Sequence, residues 1–203
     1  MKSLSEIETT SKRASKAVGF SWGIAEEVGK SIRLLELFGF AGIKNLTEYY
    51  QTRSSKKFEN LNLIREKNNS DKFPYCPIMI GVSFLDQIRT LEKFNKITFN
   101  NIYYPLLILP FLSRSSEIIG KKIHLKFDKG EFLLNINESI SSNLFNLSNL
   151  VISSNVDVSF LENKDNFSNQ DWNNLYKMSE ETFVDETDSL KQGAAGAGLT
   201  DND

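Results

Sequence analysis

The sequence contains very little cysteine or histidine, with one of each among 203 residues. Cys76 has no second cysteine with which to form an internal disulfide, which suits a reducing compartment. An ordinary zinc site needs several cysteine or histidine ligands, so we predict no metal site and no cofactor. Motifs typical of serine hydrolases, P-loop nucleotidases, zinc proteases and dithiol redox proteins are also missing. Any Ser-His-Asp triad would need His124, which the pattern places among lysines on the solvent face of a strand.

Long hydrophobic runs are missing as well. The longest apolar stretch, 102–112, contains two prolines and is shorter than the about 20 residues that span a bilayer. Glu6 and Glu8 interrupt the segment in which a signal peptide would have its apolar core. The net charge of −2 gives no global attraction to nucleic acid or acidic lipid. We therefore expect a cytoplasmic protein that binds neither membranes nor nucleic acid.

The charge that is present is unevenly distributed along the chain. Residues 1–72 carry more Lys and Arg than Asp and Glu, whereas residues 180–203 carry seven acidic residues and one lysine. A basic front and an acidic tail can attract each other, although acidic termini are commonly just solvated.

The first part of the chain is typical of α-helices. Ser3 and Glu6 have the spacing of a capping box, which predicts the start of a helix. Ser21 predicts the start of a second helix, which ends at Gly39. The linker Gly19-Phe20 between them permits only a sharp reversal, so the two helices are predicted to form a hairpin.

Small residues recur on both helices of this predicted hairpin. Ala14 and Ala17 lie on one side of the first helix, and Ala25 and Gly29 lie on one side of the second. A glycine inside a helix costs about 1 kcal/mol relative to alanine, so Gly29 needs a compensating reason. We predict that the small residues face each other and let the two backbones approach closely.

The later segments mix helices and strands. The rigid stretch 73–77 is predicted to lead into a buried strand, after which Ser83 caps a helix that ends near Phe94. Alternating apolar residues on both sides of a turn at 128–130 predict antiparallel strands. The predicted strands are 78–82, 123–127, 132–136, 150–153 and 156–161, and the predicted helices include 43–52, 110–119 and 172–178, with 102–112 open between strand and helix.

These elements predict an α+β fold, in which the N-terminal helical hairpin and further helices pack on a mainly antiparallel β-meander. We expect a single domain over 1–183, with a polar loop or excursion at 53–72. The remaining residues, 184–203, are predicted to form an acidic Gly/Ala-rich tail that is either flexible or docked.

One place combines an aromatic residue, a helix N-terminus and mixed charges. Trp22 opens the second helix, Glu26, Glu27 and Lys30 follow in it, and Arg13 lies near the end of the first. A helix N-terminus preceded by glycine is a weak anion site, so these five residues are candidate ligand contacts. The alternative is structural, with Trp22 as a core anchor and Glu26–Lys30 as a surface ion pair.

Two other features have a structural and a functional interpretation. Cys76 is predicted to be buried and inert, because no neighbouring base or helix N-terminus is apparent that would lower its pKa. In the tail, small residues let a backbone lie close to another surface, and the acidic end can meet the basic first helix, a protein partner or, weakly, a hard cation. The candidate docking residues are Gly196, Gly198, Asp201, Asn202 and Asp203.

The N-terminal block also resembles the opening of a bacterial family known as a domain of unknown function. The residues that carry the resemblance are 4–8, 12–14 and the run Gly-Phe-Ser-Trp-Gly-Ile-Ala-Glu-Glu-Val-Gly-Lys at 19–30. The ending Gly-Ala-Gly-Leu-Thr-Asp-Asn-Asp and the Cys76-Pro77 turn are similar too. Where an arginine is expected shortly before the tail glycines, this chain has Ser189-Leu190-Lys191. The resemblance implies no activity, substrate or cofactor.

Two functional hypotheses follow from these observations. The first is a non-catalytic protein of bacterial metabolism, either a binder of a small anionic metabolite or an accessory subunit that contacts a protein through its tail. The second is an enzyme of lyase or isomerase type that acts on a small anionic metabolite through carboxylate and Lys/Arg groups.

Overall fold

Three helices open the fold: α1 (Leu4–Ala17), α2 (Trp22–Leu37) and α3 (Gly42–Arg53). The structure is a computed structural model that describes residues 2–128, 130–135, 139–143, 151–162, 166–180 and 182. The chain divides into two units, Met1–Asn163 and Lys164–Asp203. The first unit contains every element up to the last strand, and the second contains one described helix.

The hairpin of α1 and α2 forms as the sequence predicts. The Ser3 N–H donates to Glu6 Oε2 over 2.8 Å and the Glu6 N–H donates to Ser3 Oγ over 3.2 Å, which completes the capping box. Gly19 makes the reversal with φ of +100°, a conformation that favours glycine. Ser21 then caps α2 by accepting the Ile24 N–H at 3.3 Å.

Gly29 is the point at which the two helices approach most tightly. A Cβ atom built there would lie 2.7 Å from the Glu8 carbonyl oxygen and 3.2 Å from Lys12 Cβ. Real Cβ contacts are not that short, so only glycine lets α2 lie this close to the α1 backbone. The prediction of close approach at Gly29 is therefore confirmed.

The prediction that Ala14 and Ala17 of α1 face Gly29 was wrong. Ala14 and Ala17 are exposed, and the buried small residues of α1 are Ser11 and Ser15. The Ser15 hydroxyl lies 2.6 Å from the Ser11 carbonyl and 2.5 Å from the Tyr50 hydroxyl. Because the Ser15 hydroxyl is satisfied by these hydrogen bonds, Ser15 can occupy a buried helix face that a search for apolar residues passes over.

The predicted strand at 78–82 is instead the start of a helix, α4 (Pro77–Leu91). Proline suits the first position of a helix, where its missing N–H is not needed. Ser83 lies inside α4, and its Oγ donates to the Leu61 carbonyl over 2.6 Å instead of capping. The run Ile78-Met79-Ile80-Gly81-Val82 has no clear period, because α4 is buried on several sides.

A 3₁₀ turn, Pro105–Ile108, leads into α5 (Leu109–Ile119), close to the predicted helix at 110–119. The helices α4 and α5 meet where the Gly81 backbone lies against the Phe111 ring, so close that a Cβ at residue 81 would be 2.3 Å from a ring carbon.

Within the described residues, the sheet has six strands: β1 (Lys67–Asn68), β2 (Lys96–Tyr103), β3 (Lys122–Phe127), β4 (Gly130–Asn135), β5 (Ser139–Ser142) and β6 (Ile152–Leu161). Their order in the sheet is β1-β2-β6-β3-β4-β5. Strands β1 and β2 pair in parallel, and the other neighbours in this order pair antiparallel. The fold is thus α+β, with a mainly antiparallel sheet.

Several strands differ from their predicted bounds. The two strands predicted at 150–153 and 156–161 are one strand, β6, while β1, β2 and β5 were not predicted. In β2 the apolar alternation of Ile97 and Phe99 is interrupted before Ile102, because Asn101 has φ of +53°. The return strand β4 buries Phe132 and Leu134 as expected.

The second unit is described through α6 (Asn169–Glu180), which contains the predicted helix at 172–178. None of the described residues of α6 is buried, and its large apolar side chains Trp172, Leu175, Tyr176 and Met178 are all at least half exposed. Within the described parts of the chain, no helix has both the length and the apolar character to cross a membrane.

Replacing Gly29 by alanine tests the close approach of the hairpin. We expect Gly29→Ala to lower the free energy of unfolding by about 1–3 kcal/mol, because the new methyl group meets the Glu8 carbonyl. Gly23→Ala is the matched control in the same helix, since a Cβ there has no neighbour within 4 Å. It should leave stability unchanged or raise it by up to about 1 kcal/mol. Chemical denaturation measures both, and equal stability of the two variants would contradict the packing.

Candidate functional site

Charged residues of α2 form ion pairs with α1 at two places along the hairpin. Glu26 accepts from Lys12 Nζ at 3.1 Å and lies 3.2 Å from Lys30 Nζ, one helical turn away. Arg33 Nη1 reaches Glu8 at 3.1 Å. Glu8 and Lys12 of α1 thus lie at the hairpin interface, beside Gly29 of α2.

Glu27 links α2 to a distant part of the chain. It accepts from Lys30 Nζ at 3.1 Å and forms a short ion pair with Arg114 of α5. The side chains of Glu27 and Arg114 are each about a quarter exposed. Sequence reasoning missed Arg114, because a contact between residues so far apart in the chain leaves no periodic signal.

This arrangement fixes the ionisation of the predicted site residues. The hydrogen bond from Lys12, with that from Lys30, holds the pKa of Glu26 below its ordinary value. Partial burial acts to raise the pKa of Glu27, but the hydrogen bonds and charges of Arg114 and Lys30 outweigh it, and its pKa is lowered. The hydrogen bond to Glu27 raises the pKa of Lys30. All three groups are therefore charged near neutral pH.

A groove of about 450 Å³ lies beside the ion pairs. Three of its lining residues are cationic and one is acidic. They are Glu8, Lys30, Arg33, Leu34, Leu37 and Arg114. We call this surface the α2–α5 groove. A second cavity of about 270 Å³ lies on the other side of the Glu27–Arg114 pair, with Val82, Leu85, Asp86 and Ile118 completing its lining.

Trp22 and Arg13 take no part in the described ion pairs. Trp22 is 57% exposed, and its ring centroid lies 5.6 Å from Lys16 Nζ. The interpretation of Trp22 as a core anchor is therefore wrong, and the buried aromatic of the linker is Phe20, at 4% exposure. Arg13 is exposed. Among the described contacts, neither side chain bonds to Glu26, Glu27 or Lys30, so their place in a ligand site stays a prediction.

Cys76 is buried, as the sequence predicts, but it lies at a helix N-terminus that was not anticipated. Its thiol caps α4 by accepting the Met79 N–H at 3.5 Å, and it lies 2.9 Å from the Tyr49 hydroxyl. Burial raises the pKa of the Cys76 thiol, although the Tyr49 hydroxyl acts in the opposite direction. The thiol is thus neutral near pH 7, which makes it a poor nucleophile.

The remaining predicted candidates contribute little to a site in the structure. His124 is partly buried on β3, and its Nε2 lies 3.1 Å from Glu131 on the neighbouring strand. The tail candidates Gly196, Gly198, Asp201, Asn202 and Asp203 lie outside the described residues. Within the described ranges, no three or more His, Cys, Asp or Glu side chains are grouped so that they could hold a metal ion.

Fold and site together define an α+β protein with a cation-lined groove beside a helical hairpin. Residues 2–75 match a family described as a protein of unknown function, DUF3726. The match covers less than half of the chain, and it includes α1 to α3 and the N-terminal block on which the resemblance rests. The ending of the chain lies outside it, so that part of the resemblance stays a prediction. Comparisons with curated proteins and with solved structures find no match.

Replacing Glu27 by glutamine tests the link between α2 and α5. Because the folded pKa of Glu27 lies below its ordinary value of 4.5, its stabilisation is present above the unfolded pKa and is lost as the pH falls through the folded pKa. We expect Glu27→Gln to lower the free energy of unfolding at pH 7 by about 1–2 kcal/mol, with the difference from wild type shrinking as the pH falls below the ordinary value of 4.5.

Denaturant unfolding across this pH range measures the effect. Glu48→Gln is the control, because the contact between Glu48 and Lys44 is exposed and long, at 4.0 Å, and the substitution should change stability little. A Glu27→Gln difference that persists undiminished in acid would show that its charge is not the cause.

Proposed function

We propose that the protein binds a small anionic ligand in the α2–α5 groove and does not transform it. The observation that carries the proposal is the convergence of Lys30, Arg33 and Arg114 on one groove, whose described lining includes one acidic residue, Glu8. Each cation is already ion-paired, Lys30 with Glu26 and Glu27, Arg33 with Glu8 and Arg114 with Glu27, so an anion would bind through the donors that these pairs leave over. Glu26 and Glu27 hold Lys30 from outside the groove lining, and Arg13 and Trp22 remain predicted contacts for the rest of the ligand.

The arginines keep hydrogen-bond donors for such a ligand. A guanidinium has five N–H donors in a fixed plane, and Arg33 and Arg114 each make their ion pair through Nη1. The carboxylates therefore hold the guanidinium groups in place without using all their donors. A ligand carboxylate or phosphate can accept from the remaining N–H groups in a bidentate manner.

The ionisation of the site favours binding over catalysis. A general acid or base works best when its pKa lies near the working pH. Here the ion pairs move the pKa values of Glu26 and Glu27 down and that of Lys30 up, away from neutrality in each case. This supports the non-catalytic hypothesis over the lyase or isomerase alternative.

Ligand screening with matched variants tests the groove. We expect anionic metabolites in a thermal-shift panel to include a stabilising ligand, and Arg33→Gln combined with Arg114→Gln to weaken its binding at least about tenfold in calorimetry. Arg89→Gln is the control, because Arg89 is exposed on α4 and does not line the groove. Binding that survives the double substitution, in variants shown by circular dichroism to be folded, would disprove the site.

Incubation of the same ligand with the protein distinguishes a binding protein from an enzyme. A bound ligand recovered unchanged after long incubation with the protein supports the binder. Its conversion to a product by wild type, together with loss of conversion in Glu27→Gln, would establish the enzyme alternative instead.

The exposed apolar side of α6 favours a second candidate function, that of an accessory subunit. Trp172 and Leu175 are one turn apart and more than half exposed, and Phe167 stacks on Trp172 with ring centroids 5.8 Å apart. Exposed aromatic residues grouped in this way are typical of protein interaction sites.

Affinity capture from the source cells tests this second candidate. We expect one protein to co-purify with the tagged full chain in stoichiometric amount, and to be lost with Trp172→Ser combined with Leu175→Ser. A chain shortened by residues 193–203 tests the predicted role of the tail separately. Capture that is unaffected by the α6 substitutions would remove α6 from the interface.

A further inference from the structure

A third cavity, which shares no residue with the α2–α5 groove, lies where α3 ends and α4 begins. Its volume is about 270 Å³. Its lining combines three cationic side chains, two phenyl rings, an amide and a thiol. They are Arg53, Lys56, Lys57, Phe58, Asn60, Phe73 and Cys76. We call this the α3–α4 cavity.

The cations of the α3–α4 cavity are not neutralised by acidic side chains. In the part of the chain that the structure describes, no carboxylate lies within 4.0 Å of Arg53, Lys56 or Lys57. Lys56 Nζ donates to the Tyr103 hydroxyl at 2.8 Å. The sequence neighbour Glu59 accepts from Ser70 Oγ at 2.6 Å and does not line the cavity.

Arg53 is held so that one nitrogen has no partner. Its guanidinium carbon lies 4.1 Å from the centroid of the Phe20 ring, which fixes the plane of the group. Its Nη1 atom is fully buried and has no hydrogen-bond partner among the described residues. A guanidinium is always charged in proteins, and a buried donor without an acceptor is costly. Arg53 lines the cavity, so an anion bound there would offset part of this cost through its charge.

The Cys76 thiol in this cavity is neutral, so it does not balance the charge of the cations, and it is a poor nucleophile. Cys76 is 2% exposed, and its sulfur is already engaged by the Tyr49 hydroxyl and the Met79 N–H. The Tyr49 ring also packs edge-on against Phe58, with centroids 5.3 Å apart. Neutral and aromatic groups thus lie beside Arg53, which is partly buried, whereas Lys56 and Lys57 are exposed to solvent.

We infer that the α3–α4 cavity binds the phosphate group of a small phosphate ester, with the organic part against Phe58 and Phe73. A carboxylate offers two oxygens and one charge, which a single guanidinium can satisfy. A phosphate monoester carries up to two negative charges and three terminal oxygens, and these can engage Arg53, Lys56 and Lys57 together. The two rings give an apolar or aromatic substituent a surface to contact.

Calorimetric titration of the full chain with three probes tests this inference: phenyl phosphate, inorganic phosphate and benzoate. We expect phenyl phosphate to bind at least tenfold more tightly than benzoate, and more tightly than inorganic phosphate. Lys57→Gln should weaken phenyl phosphate binding several-fold, because Lys57 is exposed and its loss removes a charge without disturbing the core. Arg53→Lys should also weaken it, since a lysine keeps the charge but loses the planar donors.

Controls distinguish this cavity from the α2–α5 groove. Lys44→Gln removes a cation from the same helix, α3, outside the cavity and should leave binding unchanged. Arg33→Gln with Arg114→Gln should also leave it unchanged; loss of binding in that variant would place the phosphate in the groove. Equal affinity for benzoate and phenyl phosphate would overturn the choice of phosphate. No binding, or binding indifferent to both Lys57→Gln and Arg53→Lys, would overturn the cavity itself.

Discussion

The close approach of α1 and α2 at Gly29 is the constraint on which the rest of the charged surface depends. A Cβ at this position would meet the Glu8 carbonyl at 2.7 Å, so the absence of a side chain sets the distance between the helices. At that distance Lys12 reaches Glu26 and Glu8 reaches Arg33. The ion pairs therefore follow from the packing, and they place the cations of the α2–α5 groove.

Local signals predicted much of the fold, because capping and alternation depend on neighbouring residues. The capping box at Ser3 and the strands β3 and β4 are examples. The prediction of a strand at 78–82 was wrong, because an apolar run that is buried on several sides has no period that distinguishes a strand from a helix. Of the predicted site, Glu26, Glu27 and Lys30 are joined in one network. Arg114 could not be predicted, since its contact with Glu27 spans 87 positions and only the folded chain brings them together.

The two cation-lined sites differ in which groups contact their cationic side chains. In the α2–α5 groove, carboxylates orient Lys30 and the arginines, and a ligand would use the donors that remain. In the α3–α4 cavity, the Phe20 ring holds Arg53 and the Tyr103 hydroxyl holds Lys56, so the charge stays uncompensated within the described residues. Most residues of both sites lie in the stretch 2–75 that is similar to DUF3726. The positions of these cationic residues can therefore be compared with the sequences of that family.

We propose that the carboxylates of α2 are fixed counter-ions that take no part in proton transfer. Titration of the glutamate side chains by carbon-13 NMR, with Glu26→Gln and Glu27→Gln used for assignment, tests this proposal. We expect both carboxyl groups to titrate below the ordinary glutamate pKa of 4.5 and to stay charged at pH 7. A carboxyl at either position that titrates near neutral pH would contradict it and would favour an acid–base role.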